Sequence, residues 1–161
     1  MSIPVILDTD IGTDVDDVWA LAFLLRCPEL DIRLITTATG DTRHRAALVA
    51  KILSIAGRDD VPIGIGLSLD PAPLGHVAWL GGYRLEEYPG PVYEDGVGAI
   101  CDSVMDSDES VTIIAIGPVP NIAAALVREP QLTERSSFVG MHGSLRRGYL
   151  GAPKAMREYN V

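Results

Sequence analysis

Positive charge is scarce in this chain. Lys and Arg number 13 against 22 Asp and Glu, a formal charge of −9 over 161 residues. Nucleic acid and anionic membrane surfaces both call for basic surface, so neither is expected as a partner. Cysteine is nearly absent. Cys27 and Cys101 are the only two, and neither falls in a CxxC or other metal spacing. That argues against a disulfide framework and against a zinc site. No stretch approaches the ~18 consecutive apolar residues of a membrane-spanning helix. The N-terminus has no basic region followed by a long apolar run, so no signal peptide is evident. Together these absences point to a cytoplasmic protein.

The chain does have short apolar segments punctuated by turn residues, with 47% hydrophobic residues in all. Ile3–Leu7 reads as a strand and Asp16–Arg26 as an apolar helix. Asp31–Thr37 is rich in β-branched residues and reads as a second strand. Arg43–Ala56 has helical spacing and ends at Gly57, a natural C-cap. Val61–Ile65 reads as a third strand. Residues 66–92 hold many Gly and Pro and little periodicity, so they read as a long loop. A helix is expected over Gly96–Met105. Val111–Ile116 is nearly continuously apolar, as in a strand buried on both faces. The Gly117–Asn121 turn leads into a helix over Ile122–Arg128, and Ser136–Met141 reads as a further strand. This alternation implies a single α/β domain over residues 1–161, a mostly parallel sheet flanked by helices on both faces.

The strongest chemical signal lies between the first strand and first helix. Asp8, Asp10, Asp14, Asp16 and Asp17 fall within ten residues, and the sequence offers no Lys or Arg there until Arg26. So many like charges repel unless something positive sits among them. A strand-to-helix turn is also the edge where open α/β sheets bind ligands. A hard dication, calcium or magnesium, is the simplest explanation. Asp14 and Asp17 share a side if the segment is helical. Asp16 and Asp17 diverge by about 100° on a helix, which implies different tasks. Aspartates also cap helices, but capping needs one or two acids rather than five.

Five segments then match a known family in order. DTDIGTDVDD resembles the metal motif of the inosine-uridine preferring nucleoside hydrolases. Ile35–Asp41 (ITTATGD) is similar to that family's second strand and polar tip. Ile113–Leu126 (IIAIGPVPNIAAAL) resembles its GPLTNIA strand, turn and helix. Phe138–Gly143 resembles its MGG strand end, and Glu158-Tyr159-Asn160 its EFN sugar-binding motif. The resemblance implies a Rossmann-like nucleoside hydrolase fold and one bound Ca2+. It implies hydrolysis of the N-glycosidic bond of ribonucleosides to ribose and free base, in purine and pyrimidine salvage. It makes Asp10 both general base and metal ligand, with Asp17 and the Ile116 carbonyl as further ligands. It makes Asp16, Asp41, Glu158 and Asn160 the ribose-binding set, and it implies a homo-oligomer.

The match has departures. The family's shorter motif is DxDxGxDD. This chain carries two extra residues, so Asp14 is an alternative to Asp16 or Asp17. Asp41 stands where many members have Asn, and it is equally placed to cap the helix that follows. The family is about twice this long, so the fold and site are expected to be incomplete at the C-terminus. Among the histidines, His44 reads as solvated surface beside Arg43 and Arg45. His76 reads as loop packing or a base contact near Trp79 and Tyr83, and His142 as a strand-end residue near the pocket. A magnesium-dependent phosphatase of the haloacid dehalogenase type is the rival enzyme reading, since it too places DxD after a first strand. Such a phosphatase wants a later Lys after a strand, whereas Lys51 falls within a helix. A third reading is a non-catalytic, truncated or split chain that acts through a partner.

Overall fold

The structure, a computed structural model, describes residues 2–69, 75–144, 146–148, 151–154 and 160. Aliphatic runs become strands as their pattern predicts. β1 is Ile3–Thr9, β2 Leu30–Thr37, β3 Ile63–Ile65, β4 Val92–Tyr93, β5 Val111–Ala115 and β6 Ser136–Gly140. They form one sheet in the order β4-β3-β2-β1-β5-β6, and every pairing is parallel.

A parallel sheet needs a crossover between successive strands, and helices supply most of them. α1 (Asp16–Leu24), α2 (Thr42–Ala56), α4 (Gly96–Met105) and α5 (Pro120–Arg128) are the main ones. The alternation of β1 side chains divides the core in two. Val5 and Leu7 pack with Leu21 and Leu24 of α1 and with Leu48, Val49 and Leu53 of α2. Ile6 faces the other way, onto Val97, Ile100 and Val104 of α4 and Ile122 and Ala125 of α5. Both faces of the sheet are thus covered, which is why β1 and β5 read as unbroken apolar runs.

Local chemistry sets the helix ends. Asp41 is the N-cap of α2 and accepts from the His44 N–H at 2.9 Å. Gly57 closes that helix at φ 67°, a left-handed conformation that suits glycine. Asp95 caps α4 by accepting from the Gly98 N–H at 2.9 Å.

Several segments differ from the sequence reading. α1 ends at Leu24 rather than Arg26, and β3 begins at Ile63 rather than Val61. The loop over 66–92 holds short elements: α3 (Val77–Leu80), a 3-10 turn at Leu85–Glu87, and β4 itself. Tertiary contacts fix them. Tyr88 Oη donates to the Val61 carbonyl at 2.7 Å. Lys51 Nζ donates to the Trp79 carbonyl at 2.6 Å and the Leu80 carbonyl at 3.0 Å. α6 (Leu132–Arg135), which runs directly into β6, is also new. Among the described residues no helix is long and apolar enough to cross a membrane.

Candidate functional site

The strand order places the site. From β1 the chain moves outward through β2, β3 and β4, then returns to lay β5 on the other side of β1. The topological switch therefore falls between β1 and β5, and in open α/β sheets the crevice beyond the carboxyl ends of such strands is the usual ligand site. Asp10 lies there, one residue past β1, and is buried. The turn after β5 meets it: a Cβ built on Gly117 would stand 2.7 Å from Asp10 Oδ1. Only a glycine lets the two strand ends approach this closely.

Asp17 is buried because it shares the inward face of α1 with Leu21 and Leu24. Thr9, the last residue of β1, donates its hydroxyl to Asp17 Oδ1. The Thr9 hydroxyl also accepts from the Ile11 N–H at 3.1 Å, so one threonine ties the strand end to both the turn and the helix. Burial pushes the Asp17 carboxyl up to about 7, and the negative charges of Asp10, Asp16 and Asp14 push in the same direction. Asp14 and Asp16 are exposed and interact with each other. Their mutual hydrogen bond raises Asp14 and lowers Asp16, as expected when neighbouring carboxyls share a proton.

One carboxylate oxygen from each of Asp14, Asp16 and Asp17 comes within 4.8 Å of the others. The separate tasks inferred from a helical wheel therefore understate how closely Asp16 and Asp17 gather. Asp10 lies outside this trio, near enough for its charge to act on Asp17. The donor set is wholly hard oxygen, the kind that magnesium and calcium accept.

The other anticipated residues have definite places. Ile116 follows β5. Its N–H donates to the Asp8 carbonyl at 2.9 Å, and its own carbonyl accepts from Asn160 Nδ2 at 2.7 Å. The same Asn160 nitrogen donates to the Met141 carbonyl at 3.0 Å. Asn160 thus bridges the ends of β5 and β6. Asp41 is exposed and serves as the α2 cap already described. Glu158 lies outside the described residues. His44 is not merely solvated: its Nε2 is 2.8 Å from the Gly75 carbonyl. A Cβ on Gly75 would collide with the Gly12 carbonyl, so this part of the long loop lies directly on the acidic turn. His76 and Trp79 share a cavity of about 190 Å³ with Val15, Val18, Leu48 and Ile52. His142 stacks on Phe138 with ring centroids 5.6 Å apart.

Three residues with no individual role in the sequence reading prove central. Asp8 is fully buried. Its Oδ1 accepts from the Thr36 hydroxyl at 2.5 Å and from Asn121 Nδ2 at 2.8 Å. Burial raises its carboxyl to about 6, against the lowering effect of those two bonds. Asn121 also donates to the Thr37 carbonyl at 3.0 Å and accepts from the Leu67 N–H at 2.7 Å. Arg45, on α2, is 4% exposed and reaches into the acidic turn. It corrects the expectation that no cationic side chain lies near the acids. The sequence signal was weak, because Arg45 stands beside Arg43 and His44 at the start of α2, where it reads as one more surface charge.

A parallel α/β sheet with an acidic turn at its switch point defines an α/β protein with a candidate cation site in its crevice. The comparisons narrow it. The profile of the inosine-uridine preferring nucleoside hydrolases matches residues 5–161. The chain belongs to that family. It is 34% identical to the non-specific ribonucleoside hydrolase RihC of Klebsiella pneumoniae, over 100% of this chain and 55% of that protein. It spans about half the length of the relatives it matches. A plant nucleoside hydrolase, PpNRh1, superposes with a TM-score of 0.75 at 28% identity, covering 99% of this chain and 53% of that one. An inosine-uridine preferring nucleoside hydrolase from Bacillus anthracis shares the fold at a TM-score of 0.79 and 19% identity, over 98% of this chain and 57% of that one.

Proposed function

We propose that this chain is part of a calcium-dependent ribonucleoside hydrolase that cleaves the N-glycosidic bond to give ribose and free base. One observation carries the reading: a family-matched acidic turn sits at the switch point between β1 and β5, with Asp10 against Gly117. The donor set fits a hard dication, since three carboxylates converge, and burial first, then the neighbouring negative charges, raise Asp17. Asp10, Asp17 and the Ile116 carbonyl are the proposed ligands, and Asp14 and Asp16 are placed to share that role. A bound dication supplies a Lewis acid that lowers the pKa of a water and fixes hydroxyl oxygens.

The chain's own groups do the rest. Asp10, held at the strand end, takes a proton from the water that attacks the anomeric carbon. The surrounding carboxylates stabilise the positive charge that develops on the sugar as the bond to the base breaks. Asp16 accepts from a ribose hydroxyl at the mouth of the turn. Asp41, Glu158 and Asn160 complete the proposed ribose set. Asn160 is the best supported of these, because it already joins the two strand ends that flank the crevice. The phosphatase reading loses support at Lys51, whose ammonium is committed to the Trp79 and Leu80 carbonyls.

Because RihC is covered over only 55% of its length, we further propose that residues beyond these 161 contribute to the working site; the family resemblance supports a homo-oligomer, and the acidic composition a cytoplasmic place. The test is release of reducing sugar from inosine, uridine, adenosine and cytidine by the whole protein, with and without calcium. Calcium-dependent release supports the proposal. Robust phosphatase activity with no sugar release overturns it.

A further inference from the structure

We propose that Arg45 is the positioning residue of the acidic turn. Its guanidinium holds the backbone of Asp10 and Ile11 against the end of β2, and so presets the carboxylates that receive the cation. This inference rests on the cation site proposed above.

Burying a guanidinium is costly unless its N–H groups are matched. Arg45 is matched by oxygens from two strand ends. Nη1 donates to the Asp10 carbonyl, to the Ile11 carbonyl at 2.8 Å and to the Thr13 hydroxyl at 3.1 Å. Nε donates to the Thr39 carbonyl at 2.9 Å. The first three acceptors lie in the acidic turn, and the fourth follows β2. All four are neutral oxygens, three of them backbone carbonyls, so Arg45 grips the path of the turn rather than its carboxylates.

The turn packs closely on the α2 face that carries this side chain. Gly12 adopts φ +106°, and a Cβ there would stand 2.6 Å from Leu48 Cδ1 and 3.8 Å from Arg45 Nη1. Arg45 and Leu48 are three residues apart on α2 and present one face to the turn. Thr13, the next residue, opens the segment that makes this motif two residues longer than the shorter DxDxGxDD form. A longer turn has more conformations to lose. The guanidinium contacts on both sides of Gly12 restrict that freedom. Lysine cannot substitute: a single ammonium cannot span Ile11, Thr13 and Thr39 as the planar fork does.

The test compares wild type, Arg45→Lys and Arg45→Ala in the whole protein. Amide hydrogen exchange across residues 10–17 is measured without cation, and calcium affinity by calorimetry. In Arg45→Lys we expect a retained fold by circular dichroism, faster exchange across 10–17, and calcium binding weakened about tenfold, as for other residues that orient metal ligands. Turnover should recover at saturating calcium. In Arg45→Ala, added guanidinium ion should restore part of the calcium affinity, which a purely structural loss would not show. Unchanged exchange across 10–17 in Arg45→Lys overturns the role of Arg45, and so does wild-type calcium affinity in that variant. If Arg45→Ala does not fold, Arg45→Lys decides. Failure of wild type to bind calcium instead overturns the cation site, while the exchange measurement still decides whether Arg45 holds the turn.

Discussion

Asn121 Nδ2 donates to Asp8 Oδ1 at 2.8 Å across 113 residues of sequence. This bond joins the first turn of α5 to the end of β1, just below the crevice. Asn121 makes three interactions there, with Asp8, Thr37 and Leu67. Removing one partner of a buried hydrogen bond costs about 1–3 kcal/mol per group left unsatisfied. Asn121→Ala is therefore expected to lower the urea midpoint by an amount equivalent to roughly 3 kcal/mol or more. Asn121→Asp should be at least as harmful, because it sets a second acid against Asp8. A midpoint within experimental error of wild type for Asn121→Ala would show that the network contributes little.

The acid pair Asp8 and Asp17 predicts an unusual pH dependence. Burial raises the two carboxyls, Asp8 to about 6 and Asp17 to about 7, above the usual carboxylate range. The folded state then binds more protons than the unfolded state between about pH 4 and 7, so stability must fall as pH rises through that window. The contribution is fully present below the unfolded pKa and is lost above the folded one. Calcium should oppose the trend, since it displaces the proton from Asp17. Affinity is expected to rise from pH 5 to pH 8, with proton release on binding. Calorimetry in two buffers of different ionisation enthalpy measures that release. A cation-free protein that gains stability over the same window would contradict the assignment.

Much of this arrangement was legible before any fold was in view. β1, β2, β5 and α2 follow from short apolar or periodic runs with clear punctuation, such as Gly57 at the end of α2. The acidic turn was legible because density of one charge is a local property. What escaped notice is tertiary. Arg45 looks like surface until α2 is laid across the strand ends, and Asn121 looks like a turn residue until β5 returns beside β1. The short elements of the 66–92 loop escaped because Gly and Pro erase periodicity while distant partners, Lys51 and the Val61 carbonyl, do the ordering. Asp17 could be placed by pattern alone: it precedes Leu21 and Leu24 by four and seven residues, on the face that turns inward.

Asp10 and Asp17 should separate under substitution. Asp17→Asn removes a charge from the converging trio, while its amide oxygen still accepts from Thr9. Calcium affinity is expected to fall by about tenfold or more, with kcat largely recovered at saturating calcium. Asp10→Asn removes the proposed base as well as a ligand charge. It should lower kcat by about 100-fold or more even at saturating calcium. Titrations of both variants, paired with turnover on inosine, check the split. Equal kcat for Asp10→Asn and wild type would move the base elsewhere, with Asp14 the next candidate.

The face of the first helix gives a last prediction. Trp19 and Phe23 are 70% and 74% exposed on α1, four residues apart and opposite the buried Asp17, Leu21 and Leu24. The edge strand β6 adds Phe138 and Val139, at 51% and 56%. Large apolar side chains gathered on one helix face mark a surface that another surface covers. Residues 1–161 taken alone are therefore expected to self-associate at micromolar concentration. They should also show little turnover even with calcium, if residues beyond them complete the site as proposed. Sedimentation velocity should show the association, and the double variant Trp19→Glu, Phe23→Glu should reduce it without lowering calcium affinity, because both side chains point away from the acidic turn. A wild-type chain that stays monomeric at 100 micromolar would show that α1 needs no cover. Turnover by residues 1–161 at the rate of the whole protein would place the complete catalytic set within them.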